Sequence, residues 1–296
     1  MRRDLTSRIL LFAAQSGLAC FTKRSQTSDW SYDSPNHWAD TPRYGQCQNG
    51  THQSPIALSG SQFSRSPRGP SFNCPGSWTG VLSNNGHGLL FEIDVPGDDY
   101  TKLPKLSFDE ETVYLQSWHT HAPAEHIVAG DRSTAELHLV HVDADGNAKA
   151  VVGFRLDPSY TQRDAHSQFF EQLGPFPRPD EEGHEIKIED FRPNLALAEV
   201  SDFRRFWTYE GSLTTPPCSE GVRWFFAGDT LVLGDGQLQQ LLAASHSLLD
   251  QPSTFGCTTL ASSVKDLAAL LCEHCELRRA VASSEKYRQS MSVIKV

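Results

Sequence analysis

Apolar and polar side chains alternate in short runs from Leu89 to Val95, Val113 to His121, Ala135 to Val142 and Ala148 to Leu156. Gly, Pro, Asn and Asp punctuate them. A period of two marks a strand with one packed face and one free face. The texture persists to about residue 232. It predicts a mostly β fold: a single domain around a large, twisted, largely antiparallel central sheet with short peripheral helices. The Ser-, Pro- and Gly-rich stretch from Ser59 to Pro75 reads as a surface loop. From Gln237 the period changes, and Leu260, Val264, Leu267, Leu271 and Leu277 recur at roughly helical spacing. A helical tail over 257–296 is expected.

One hairpin can be placed. Asp145-Gly146 favours a two-residue turn. With Ala144 facing Asn147, Val140 falls opposite Val151. Along the first strand Glu136, His138 and Val140 share one face, while Leu137, Leu139 and His141 take the other.

Composition narrows the picture. The chain has 296 residues, 38% hydrophobic and 21% charged, values near globular averages. Single all-β domains reach about 200–250 residues, so one domain over 28–256 is expected. The formal charge is −10 and no Lys/Arg cluster is present. A nucleic-acid partner, which would require clustered cations, is therefore not expected. Arg2, Arg3 and Arg8 precede the apolar run Ile9 to Ala14, and Lys23-Arg24 is dibasic. Residues 1–24 read as a signal peptide and propeptide, which implies a secreted protein. No later run approaches the roughly 18–20 apolar residues of a membrane span. Asn49-Gly50-Thr51 is a glycosylation acceptor sequence. Beyond Cys20 six cysteines remain, Cys47, Cys74, Cys218, Cys257, Cys272 and Cys275. Six allow fifteen pairings, and spacing selects none of them. Buried thiols in a reducing compartment stay an alternative. Cys272 and Cys275, with His274 between them, read as structural because no second pair completes a metal clip.

His119 and His121 are two residues apart, so on a strand both imidazoles project from one face, roughly 6–7 Å apart along the chain. Twelve histidines make such a pair unremarkable alone. His138, on the chemically richer face of the next strand, changes that. Three neutral imidazoles that leave a fourth tetrahedral position open make a catalytic zinc site.

Here a resemblance becomes specific. His119-Thr120-His121-Ala122-Pro123-Ala124-Glu125-His126 followed by Ala135-Glu136-Leu137-His138-Leu139-Val140-His141 resembles the zinc-binding core of the alpha carbonic anhydrases. Tyr209-Glu210-Gly211-Ser212-Leu213-Thr214-Thr215-Pro216-Pro217-Cys218 is a second match. Gln53-Ser54-Pro55-Ile56, Asn84-Asn85-Gly86-His87, Trp30-Ser31-Tyr32 and His37-Trp38 fit the same family in the same order, over about residues 30 to 240.

The resemblance implies reversible hydration of carbon dioxide to bicarbonate and a proton by zinc-bound hydroxide. Zn2+ would be held by His119, His121 and His138, with Glu136 behind His138. Thr214 would orient the nucleophile through Glu125, and His87 would shuttle the proton. Val140, Val151, Leu213, Thr215 and Trp224 would line the substrate pocket. Cys47 and Cys218 would form a disulfide. The competing reading is a catalytically silent binding module of the same family; silent relatives typically lose a zinc histidine, and all three are present.

Some positions depart from the family pattern. Ala124 replaces a Ser, Ser133 stands where an aromatic is common, and Ser117 replaces a Gln that supports the first histidine. The closing Asn-x-Arg-Pro-x-Gln segment, whose backbone would support His121, is missing after about residue 240. Weaker zinc binding is therefore expected unless Gln116 or the divergent tail supplies substitutes.

Overall fold

The computed structural model describes residues 30–32, 35–59, 63–64, 69–159, 165–178 and 184–245. The leader over 1–24, the leucine spacing of the tail, and Cys257, Cys272 and Cys275 lie outside these residues.

In chain order the strands are β1 (Ala57–Leu58), β2 (Phe63–Ser64), β3 (Ser71–Asn73), β4 (Trp78–Asn84), β5 (Leu89–Ile93), β6 (Lys105–Phe108) and β7 (Glu111–His121). They continue with β8 (Ile127–Val128), β9 (Ala135–Val142), β10 (Ala148–Pro158), β11 (Ile186–Phe191), β12 (Phe206–Ser212), β13 (Glu220–Ala227) and β14 (Leu231–Leu233). The helices are short: α1 (Gln46–Asn49), α2 (Gln168–Glu171), α3 (Asn194–Ala198) and α4 (Asp235–Ser245). Twelve strands form one sheet, with a main path β11-β4-β5-β7-β9-β10-β13-β12-β2. Its pairings are antiparallel except where β10 meets β13 and β14 in parallel. The expected fold class holds, and α4 begins where the sequence texture changed near Gln237.

One face of the sheet carries the core. Leu137 and Leu139 of β9 and Val152, Phe154 and Leu156 of β10 are buried there. Trp118 is fully buried among Phe91, Phe169, Phe170 and Phe191. Each such side chain contributes about 1.5–3 kcal/mol of burial, so this face fixes how β7, β9 and β10 are oriented. What projects from the opposite face is thereby fixed too.

Strand β7 needs one more device. Val113 and Leu115 belong to the core, and strict alternation would send Ser117, His119 and His121 to the same side. The register against β9 shifts between Leu115, opposite His141, and Ser117, opposite Val140. Gln116 is thus the extra residue of a β-bulge. Beyond it parity inverts: Trp118 enters the core, and His119 and His121 turn to the other face.

Two expectations need correction. The β9–β10 turn does not place Ala144 against Asn147. Asp143 N–H donates to the Asn147 carbonyl at 2.9 Å and Gly146 N–H to the Asp143 carbonyl at 3.1 Å. The loop therefore has three residues and ends on Gly146 at φ 86°, the left-handed position that favours glycine. A register shift between Ala148 and Ala150 then restores the ladder, and Val140 does face Val151. The placement was right because two one-residue offsets cancel. The stretch from Ser59 to Pro75 also carries strands, β2 paired with β12 and β3 with β6. Phe72 explains the second pairing, since it packs on the core with its ring 5.3 Å from Phe203.

Candidate metal centre

Strands β7 and β9 run antiparallel with His119 directly opposite His138 and His121 opposite Glu136. The three imidazoles converge, with ring centroids 4.8 Å (His119–His121), 5.2 Å (His119–His138) and 4.7 Å (His121–His138) apart. One nitrogen from each lies within 4.8 Å of the others. His138 Nδ1 and His119 Nε2 are 3.3 Å apart, the separation of two ligands at about 2.0–2.1 Å from one tetrahedral zinc, roughly 3.3 Å. His121 Nε2 is buried without a hydrogen-bond partner among the described residues. Such an orphan is costly unless a ligand takes the lone pair. Burial is the largest effect holding His119 and His121 well below the usual imidazole range, and the neighbouring imidazoles add to it. Neutral imidazole is the form that binds a metal. The donor set fits zinc.

Behind His138 lies Glu136, fully buried. Its carboxylate accepts four hydrogen bonds: His138 Nε2 (2.5 Å), His126 Nδ1 (2.6 Å), His126 N–H (2.9 Å) and Glu125 N–H (3.1 Å). Burial opposes its charge, but His126 and His138 outweigh burial and hold it well below the usual carboxylate range. Because His138 donates from Nε2, its Nδ1 lone pair is left for the metal.

The network continues through residues to which the sequence reading assigned no role. His126 Nε2 meets Tyr209 Oη at 2.7 Å, Tyr209 donates to Ser54 Oγ at 3.0 Å, and Ser54 Oγ accepts from Ser212 N–H at 3.1 Å. His126, Tyr209 and Ser54 all lay inside the quoted motifs. No local signal set them apart: Ser54 lies between Gln53 and Pro55, Tyr209 between Thr208 and Glu210, and His126 between Glu125 and Ile127.

Thr214 is buried on the loop after β12 and its side chain hydrogen-bonds Glu125. Burial pushes the Glu125 carboxyl up, with His138 the main opposing influence. Val151 and Trp224 are buried together, with Val140, Leu213 and Tyr209 packed against them. This apolar wall stands on the histidine face, since Val151 is opposite Val140 on one side and Trp224 on the other. Thr215 follows on the same loop, its carbonyl accepting from Cys218 N–H at 2.9 Å. Cys47 and Cys218 form a disulfide with Cα atoms 5.0 Å apart, within the usual range. Asn49, at the end of α1, is exposed.

His87 sits in the turn between β4 and β5, its N–H donating to Asn85 Oδ1 at 2.9 Å. Its ring stacks on Trp30 at 4.1 Å and meets Tyr32 edge-on at 5.4 Å. Partial burial moves its pKa down from the ordinary value. The tail expected to support His121 lies outside the described residues; among those described, Tyr32 meets it, with Oη 3.0 Å from His121 Nδ1.

Residues 33–253 match the family model of the eukaryotic-type carbonic anhydrases. A carbonic anhydrase of Klebsiella pneumoniae is 31% identical over 229 residues, covering 76% of this chain and 87% of that protein. Among solved structures, an alpha-carbonic anhydrase of Photobacterium profundum superposes with a TM-score of 0.61 at 27% identity, covering 74% of this chain and 92% of its own. That of Thermovibrio ammonificans, complexed with the inhibitor sulfanilamide, gives 0.60 at 29% identity, covering 73% and 90%. The strand order that opposes three imidazoles, the wall beside them and these likenesses lead to one assignment: the chain belongs to the alpha carbonic anhydrase family.

Proposed function

We propose that this protein catalyses the reversible hydration of carbon dioxide to bicarbonate and a proton. The observation that carries the reading is the meeting, on one sheet face, of three converging imidazoles and an apolar wall. His119 and His121 through Nε2, and His138 through Nδ1, would hold Zn2+. A bound zinc ion lowers the pKa of a coordinated water to about 7 and so supplies a nucleophile at neutral pH.

The chain's own residues do the rest. Thr214 donates its hydroxyl hydrogen to Glu125, which leaves its oxygen as an acceptor only and orients the attacking group. Val140, Val151, Leu213 and Trp224 give a small apolar substrate a dry surface with no charge to compete for it, and Thr215 lies at its edge. His87 takes the released proton onto its imidazole, and the downward shift from partial burial favours passing that proton on to buffer.

Stopped-flow carbon dioxide hydration on the zinc-loaded protein tests this. Acceleration over buffer is expected, and loss of both zinc and activity in His138→Ala. Bound zinc without hydration would favour the silent binding module. His87→Ala should slow turnover in weak buffer and recover with added imidazole. The disulfide and the exposed Asn49 support export, and a eukaryotic secretory host should return Asn49 glycosylated. No described helix is long and apolar enough to cross a membrane.

A further inference from the structure

A metal ligand that coordinates through Nε2 carries its proton on Nδ1 and needs an acceptor there, which fixes its tautomer and ring angle. His138, which would coordinate through Nδ1 instead, gives its Nε2–H to Glu136, two residues away on β9. His121 finds its acceptor 89 residues back in the sequence, in the phenol of Tyr32 at 3.0 Å. The phenol ring is held on several sides. Trp30 meets it edge-on at 5.3 Å, Trp38 at 5.9 Å and His87 at 5.4 Å. Trp38 in turn donates from Nε1 to the Ser31 carbonyl at 2.7 Å. Farther along the same arm, Cys47 is bonded to Cys218 on the loop that carries Thr214.

We propose that Tyr32 is a positioning residue for the metal centre: its Oη accepts the His121 Nδ1–H and keeps His121 Nε2 directed at the ion. The N-terminal arm is then part of the metal site and stands in for the closing segment that this chain lacks. His121 Nε2 makes no hydrogen bond among the described residues and lies 3.5 Å from Glu125 Oε2, so the hydrogen bond at Nδ1 is what orients the ring. The inference rests on the zinc reading above.

The test is Tyr32→Phe, which keeps the ring and removes only the oxygen. Zinc alone is the probe, with affinity read by chelator competition and apo stability by thermal unfolding. Loss of an outer partner of this kind lowers metal affinity by about 10- to 100-fold, with the unfolding midpoint unchanged. In the zinc-loaded wild type, long-range 1H–15N NMR should show His121 protonated at Nδ1, in slow exchange, and that signal should shift or vanish in the variant. Affinity within twofold of wild type overturns the proposal. So does a wild-type His121 protonated at Nε2, a result that stands even if the variant misfolds. Folded wild-type protein that binds no zinc overturns the metal-site reading first and the role of Tyr32 with it. Zinc binding that depends on His121 but not on Tyr32 removes the second alone.

Discussion

Replacing Glu136 with Gln changes one atom, and the structure predicts where the damage falls. Both carboxylate oxygens accept two hydrogen bonds, one from two imidazoles and the other from two backbone N–H groups. The amide of Gln must put its NH2 in one of these places. Facing the backbone, it leaves the Glu125 and His126 N–H groups buried without acceptors, at about 1–3 kcal/mol each. Facing the imidazoles, it meets rings that can change tautomer, and this orientation wins. His126 can then donate from Nε2 to Tyr209. His138, however, must accept at Nε2 and carry its proton on Nδ1, the nitrogen 3.3 Å from His119 Nε2. Its lone pair is withdrawn from the metal. The expected effect is a loss of zinc affinity of about 10- to 100-fold, equivalent to about 1.4–2.7 kcal/mol. Chelator competition measures it, with urea unfolding of the apo protein run alongside. A Gln variant that holds zinc as tightly as wild type, with unaltered stability, would refute the tautomer argument.

Two further outcomes are expected. Burial pushes the His141 imidazole down to about 3 from 6.5, opposed by its hydrogen bond to the Leu139 carbonyl. The unfolded chain binds the extra proton below about pH 6.5, so this contribution is fully present above that pH and is lost as pH falls towards 3. Between pH 7 and pH 5 it amounts to about 2 kcal/mol. Urea midpoints at the two pH values should therefore diverge less in His141→Gln than in wild type, and parallel losses would contradict the assignment. The Cys47–Cys218 bond spans 171 residues, so the double Ser variant should lose roughly 2–5 kcal/mol of stability. An unfolding midpoint equal to wild type would contradict this, as would free thiols at both positions on non-reducing peptide mapping.

Much of the site was legible because strand alternation is a local rule. Within β9 it sorted Glu136, His138 and Val140 from Leu137 and Leu139 without error, and the motifs around His119 and Thr214 named the family. The rest depends on distance or on single residues without a signature. Gln116 bulges, yet nothing in its side chain marks it. The turn at Gly146 and the shift near Lys149 each moved the ladder by one and hid one another. Tyr32 reaches His121 across 89 residues, and Ser54 reaches Tyr209 across 155; no local pattern encodes such meetings. The missing closing segment made the tail the natural place to look for His121's partner, and the arm at the other end of the chain supplied it.

The bulge at Gln116 makes this centre fragile in length more than in letter. Position 116 is half-buried, and a substitution there keeps the length of β7 and with it the register of the strand. Deleting its codon is another matter. Every side chain downstream on β7 would change sides at once, sending His119 and His121 into the apolar core and Trp118 onto the metal face. One missing residue would exchange ligand for packing while leaving all three histidines present in the sequence, and an inventory of intact motifs would still read that damaged chain as an enzyme.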